Sequence, residues 1–172
     1  MNEQRRSLVA LLDAHTDVPF EGDVLEERGF IERVAMALYD RHEQFSRWPE
    51  SVRHFYACYD LNFQVGSGGF AQAAYNIPHL IPVAQEAFEQ FGRTKAAELC
   101  SRAVALLPAE LVEHMAKGFT GEESLEGVFD HFNESAMNEL SQNLPSEFWA
   151  DGALQSLVQR HRKDFASVDR LG

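Results

Sequence analysis

Residues 92–108 read GRTKAAELCSRAVALLP, and their spacing decides the fold. Ala96, Leu99, Cys100, Ala103 and Leu107 recur at intervals of three and four, which gathers them on one side of an α-helix. The punctuation agrees with the period. Gly92 suits a left-handed C-cap that lets a preceding helix reverse into this one. Pro108 stops it after Leu106 and Leu107, because proline has no N–H to continue the ladder. Outward from this stretch the same period returns in Phe30, Ile31, Val34, Leu38, His42 and Phe45, and in Leu125, Val128, Phe129, Phe132 and Ala136. It returns again in Leu154, Leu157, Val158, His161 and Phe165. Period-two alternation of β-branched residues is nearly absent. The expected fold is all-α: residues 1–172 as a single-domain multi-helix bundle with short helix–helix corners.

Helix ends follow from the same residue chemistry. Trp48-Pro49 suits a helix start, where the missing N–H of proline costs nothing. Gly118 and Gly121 bracket a connection before an acidic helix expected from about Glu122 to Leu140. Pro145 and Gly152 limit the next turn, and a last helix is expected from near Ala153 to Phe165. Residues 13–27 hold Asp13, Asp17, Glu21, Asp23, Glu26 and Glu27 with no base, and are broken by Pro19 and Gly22.

Composition places the chain among folded globular proteins. Its 172 residues are 45% hydrophobic and 24% charged, and thirteen phenylalanines give a core bulky material. The apolar run near the start is broken by Asp13, too short for a membrane span, and no small-residue cleavage site follows it. Cys58 and Cys100 read as free core thiols rather than a disulfide framework. A cytoplasmic protein without membrane contact is the expectation.

The net charge is −12, and it is unevenly placed. Between residues 110 and 151 stand Glu110, Glu113, Glu122, Glu123, Glu126, Asp130, Glu134, Glu139, Glu147 and Asp151 against Lys117 alone. A field of that sign selects cationic partners and disfavours direct nucleic-acid binding, which needs a basic surface. A protein whose own business is to grip DNA is the better expected partner. Glu122, Glu126, Asp130 and Glu134 are four apart, so on one helix they form a slowly drifting row with a rise of about 6 Å between neighbours. Like charges at that spacing cost about 0.2–0.5 kcal/mol per pair, so the row opposes stability and invites a functional reason. A DNA strand carries a phosphate every ~3.4 Å, so a mimic needs a second row. Glu110, Glu113, Glu139, Glu147, the 13–27 stretch or a second subunit are the candidates. The alternative for the same acids is a solvated helix face that keeps the protein soluble.

The most specific local pattern is VGSGGFAQAAYN, Val65 to Asn76. Three glycines in four positions end the helix begun at Pro49, and a short helix resumes at Phe70. Glycine is required there if φ is positive or another backbone passes close by. A tight helix–helix corner explains the cluster, and an anion held by free amides at the new helix start is the functional alternative.

Here the chain resembles the bacterial DNA-mimic proteins. The resemblance is carried by Gly68, Gly69, Phe70, Gln72, Tyr75 and Asn76, then by Phe91-Gly92 and Ala96-Ala97-Glu98-Leu99 through Pro108. Phe129-Asp130 and the closing stretch from Arg160 to Phe165 are similar too, so it covers roughly residues 30–165. The chain departs from the family pattern where Gly66-Ser67 replaces two asparagines and Ala73-Ala74 replaces bulky residues. The resemblance implies an all-helical fold and a homodimer that occupies the DNA-binding face of a transcription factor.

No catalytic constellation competes with this reading. Seven histidines are present (His15, His42, His54, His79, His114, His131 and His161), but the pair His54 and Cys58 has no second pair at ligand spacing. Ser67 lies in Gly-Ser-Gly-Gly without the strand that a nucleophile elbow needs. Phosphate-loop and dinucleotide motifs are missing. Arg160, Arg162 and Lys163 complement the dipole of the last helix or pair with another subunit's acids.

The expected function is that of an acidic, non-catalytic interaction protein without cofactor or metal, which occupies the basic surface of a DNA-binding protein. Its partner-binding residues are expected to be Glu110, Glu113, Glu122, Glu123, Glu126, Asp130, Glu134 and Glu139. The alternatives are an immunity protein or antitoxin that caps a basic nuclease, and a small metal-dependent hydrolase built around His54, Cys58 and the glycine turn.

Overall fold

The computed structural model describes residues 7–14, 24–116, 132–142, 144–149 and 151–171, without the side chains of 24–28, 114, 116 and 151. Among the described residues every regular element is helical. They are α1 (Leu8–Asp13), α2 (Val24–Tyr39), α3 (Glu50–Asn76), α4 (Leu80–Gln90), α5 (Thr94–Ala105), α6 (Ala109–Ala116), α7 (Glu134–Leu140), α8 (Asp151–Arg160) and α9 (Arg162–Val168). Two 3₁₀ turns, His42–Arg47 and Ser146–Phe148, complete the set. The all-α class is therefore as the periodicity predicts. No described helix is long and apolar enough to cross a membrane. The chain forms two compact units, Met1–Tyr56 with Asp151–Gly172, and Ala57–Ala150; the boundary falls inside α3.

In the first unit α1 packs on α2 and α9, α2 on α8, and α8 on α9. Six residues are too few for α1 to be helical alone. Both its ends are held from elsewhere. Asp169 accepts the Leu8 and Val9 amides at 3.2 and 3.1 Å, while Ser7 Oγ, donating to Asp169 at 2.9 Å, caps the Ala10 amide. At the other end Arg162 Nη2 donates to the Leu12 carbonyl at 2.8 Å. An anion at the N-terminus and a cation at the C-terminus both oppose the helix dipole. The buried Arg41 completes the arrangement, reaching Asp169 Oδ1 at 2.9 Å and the Ala37 carbonyl at 2.6 Å. Arg162 thus serves the C-terminus of α1 rather than that of its own helix.

Two expected stripes are interrupted here. The stripe from Phe30 to Phe45 does not run through one helix, because α2 stops at Tyr39 and a 3₁₀ turn follows. His42 is exposed, with its ring stacked on Tyr39 at 5.3 Å. The expected last helix likewise divides at His161, whose φ of −115° and ψ of 29° leave the α region. The break exposes the polar ring of His161 and still delivers Phe165 to the core, edge-on to Phe55 at 5.4 Å. An apolar period survives a kink when the residues on both sides face the same interior.

The second unit is organised around the α4–α5 hairpin. Gly92 has φ of +69°, and behind it the Gly92 amide bonds to Glu89 O (3.0 Å) and the Arg93 amide to Phe88 O (2.8 Å). That pair of bonds is the glycine-terminated cap that the sequence predicts. Arg93, the N-cap of α5, makes no side-chain cap bond. Glu147 supplies one instead: its Oε1 accepts the Lys95 and Ala96 amides at 2.7 and 3.2 Å, and Arg93 returns a bond to the Glu147 carbonyl at 2.6 Å. The same 3₁₀ turn inserts Phe148, fully buried, between Phe70 and Phe88 with ring centroids 5.6 Å from each.

His79 precedes α4 at the corner after Ile77-Pro78, and burial lowers its pKa from the ordinary 6.5 to about 4. A histidine kept neutral in the fold binds protons more readily when unfolded. Its stabilising contribution is therefore complete above pH 6.5 and is lost as pH falls toward 4, by up to about 3 kcal/mol. Denaturant melts of the native protein and a His79→Gln variant should converge in slope only above pH 6.5. Parallel stability profiles down to pH 4 would contradict this assignment.

Candidate partner-binding surface

The glycine cluster is a corner within α3. Gly68 (φ −157°, ψ 21°) and Gly69 (φ 76°, ψ −176°) leave helical geometry between two helical halves. At Gly69 the first reason for glycine holds, and what passes close by is a side chain rather than another backbone. Its φ is positive, and a Cβ placed there would lie 2.7 Å from Ser141 Oγ and 3.3 Å from Ser141 Cβ. Ser141 comes this close because its hydroxyl accepts the Phe70 amide at 2.8 Å. That amide, which the anion alternative would require free, is therefore engaged within the protein.

The polar residues of the motif tie the two halves of α3 together. Gln72 Nε2 and Asn76 Nδ2 both donate to Gln64 Oε1, at 2.9 and 2.8 Å, and Gln64 Nε2 reaches Asp60 Oδ1 at 3.4 Å. Burial raises the Asp60 carboxyl above its usual range, an effect that the Gln64 amide opposes. Tyr75 stays 43% exposed, with its ring edge-on to Phe132 at 5.0 Å. Where the family pattern has asparagines, Gly66 lies beneath the Trp149 ring and Ser67 Oγ donates to the Phe63 carbonyl at 2.8 Å. Ser67 thus sits in a helix with its hydroxyl turned onto backbone, not on a nucleophile elbow.

The acids divide among several elements. On α6, Glu110 and Glu113 are exposed and three apart, a rise of about 4.5 Å, while Leu111 between them is fully buried. On α7, Glu134 and Glu139 are exposed, and Met137 and Leu140 are buried. Five residues turn a helix by roughly 140° beyond one revolution, so Glu134 and Glu139 do not share one face. Glu122, Glu123, Glu126 and Asp130 lie outside the described residues, as do Gly118, Gly121 and the apolar stripe from Leu125 to Phe129.

The expected continuous helix from Glu122 to Leu140 is corrected. Asn133 (φ −82°, ψ 74°) is an N-cap whose side chain accepts the Ala136 amide at 3.0 Å, so α7 begins at Glu134. Asparagine at this place offers the amides a partner that ends any helix arriving from before it. Glu134 consequently starts a new element instead of closing a four-acid row, and its charge sits at the favourable end of the α7 dipole. Glu147 leaves the list of candidate mimic acids because its carboxylate caps α5.

Sequence reading missed Gln64, Asn138 and Ser141. They bear on the motif only through folding, from four to more than seventy residues away, and nothing local marks them. The rival chemistry around the cysteines weakens. Cys58 and Cys100 are buried free thiols, and burial drives both pKa values up, that of Cys100 to about 12. Neither has the lowered pKa of an activated nucleophilic cysteine. Among the described residues, no group of three or more His, Cys, Asp or Glu side chains is placed to hold a metal.

Residues 46–162 match the sequence model of the family described as DMP19-like protein. The match contains the whole glycine corner and all ten acids of the 110–151 segment. No curated protein and no solved structure matches the chain.

Proposed function

Because this chain belongs to the DMP19-like protein family, the family of DNA mimic protein 19, we propose that it acts by mimicry of DNA. On this reading it is a non-enzymatic protein of the cytoplasm that occupies the basic, nucleic-acid-binding surface of a partner such as a transcription factor. The observation that carries the proposal is the coincidence of the family match with the acids of residues 110–151, which leave that segment at −9 of the chain's net −12. DNA-binding faces are built from Lys and Arg placed to meet phosphates. Carboxylates on a folded surface can meet the same cations without a nucleic acid. Glu110, Glu113, Glu134 and Glu139 supply the described share of them, and Glu122, Glu123, Glu126 and Asp130 the rest.

Capture from the native cytoplasm at low salt tests the proposal. The retained protein should be a basic DNA-binding protein, released by salt because screening shortens the reach of surface charge. Retention only of proteins that neither bind DNA nor respond to salt would overturn it. A nuclease as the retained species would point to an immunity protein instead.

Pairing of two copies about a two-fold axis would double the acid density that one chain presents. Light scattering should then give about twice the 19.4 kDa chain mass. The chain mass alone across a wide concentration range would exclude the homodimer.

A further inference from the structure

α7 is the described helix of the acidic segment that the glycine corner touches, and it is gripped at both ends. At its C-terminal end the Phe70 amide donates to Ser141 Oγ at 2.8 Å. The approach is open because Gly69 has no side chain; a Cβ there would stand 2.7 Å from Ser141 Oγ and 3.4 Å from Asn138 Oδ1. Before its N-terminal end, Phe132 meets Tyr75 with centroids 5.0 Å apart and planes at 72°. The two grips are separated by a helix about 10 Å long. Seven residues do not hold a helix by themselves in water, so what fixes α7 is its contacts. Tyr75 is too exposed to serve mainly as core, and its ring lies edge-on against Phe132.

We infer that Tyr75 and the Gly69–Phe70 corner are positioning residues for partner recognition. They fix α7, so that Glu134 and Glu139 are presented in one arrangement. This rests on the proposed DNA mimicry, since a face built for phosphates reads the placement of charges and not only their sum. It gives the glycine motif a role in function without any residue of the motif touching the partner.

The test uses the full chain with Tyr75→Ala, Tyr75→Phe and Ser141→Ala, none of which alters net charge. Amide hydrogen exchange reports on α7. Affinity is read against two probes: the DNA-binding protein retained at low salt, and a short oligolysine peptide that senses charge alone. Tyr75→Ala and Ser141→Ala should speed exchange across Glu134–Leu140 while α4 and α5 keep native rates. Each should weaken binding to the DNA-binding protein by up to about tenfold, the range set by one aromatic pair for Tyr75→Ala and by one hydrogen bond for Ser141→Ala, and leave oligolysine binding unchanged. Tyr75→Phe, which keeps the ring edge, should restore both. Native exchange across α7 in Tyr75→Ala, or loosened α7 with native affinity, would overturn the inference while DNA mimicry stands. If the native chain retains no protein that DNA displaces, mimicry fails and the recognition role fails with it; the exchange result still decides the clamp.

Discussion

Gly69→Ala is expected to destabilise the protein by about 3 kcal/mol, the sum of two separate costs. At φ 76° and ψ −176° the backbone lies in a region essentially restricted to glycine, which costs an L-residue about 1–3 kcal/mol. The added methyl would also lie 2.7 Å from Ser141 Oγ, so it must displace the acceptor of the Phe70 amide and weaken that hydrogen bond. At about 2–4 °C per kcal/mol for a chain of this size, the melting temperature should fall by roughly 6–12 °C. Gly66→Ala is the internal control. Gly66 is helical, and a Cβ there would meet Trp149 at an ordinary 3.6 Å. The same chemical change should therefore be neutral or stabilising by up to about 1 kcal/mol, the helix propensity of alanine over glycine. Equal melting temperatures for Gly69→Ala and the native protein would remove the corner explanation.

The largest expected effect on binding comes from neutralising the acids. Glu110, Glu113, Glu122, Glu123, Glu126, Glu134 and Glu139 changed to Gln, with Asp130 to Asn, should lower partner affinity on the order of a hundredfold at low salt. Thermal stability should hold or rise slightly, because self-repulsion is relieved and the buried anchors Leu111, Met137 and Leu140 are untouched. Glu147→Gln should show the opposite signature. Losing the charged cap of α5 should cost about 1 kcal/mol of stability, with native partner affinity. Similar stability losses from both sets, with binding unchanged, would make these acids part of the scaffold.

Much of the fold is legible in the sequence because its decisive residues act locally. Gly69, Gly92 and Pro108 each dictate backbone geometry within a few residues, and each stands where its chemistry predicts. Helix continuity is less legible. His42 and His161 interrupt elements through which the apolar period runs on, because a core accepts side chains from both sides of a kink, and Asn133 starts α7 within an expected helix. The least legible features are long-range polar partnerships. Asp169 caps α1 from 160 residues away, and Ser141 takes the Phe70 amide across 71. The same limit separates Glu147 from its neighbours: composition counts it with the other acids, and only folding shows it capping a helix.

Competition tests the central claim most directly. The partner retained at low salt is bound to its labelled DNA, and the native chain and the eight-acid variant are titrated against that complex. The native chain should displace the DNA fully, with a midpoint that rises steeply with salt, while the neutralised variant leaves the complex intact. Displacement by the variant at the native midpoint would mean that the acids are only a solvated face, and the account of this protein as a mimic of DNA would be wrong.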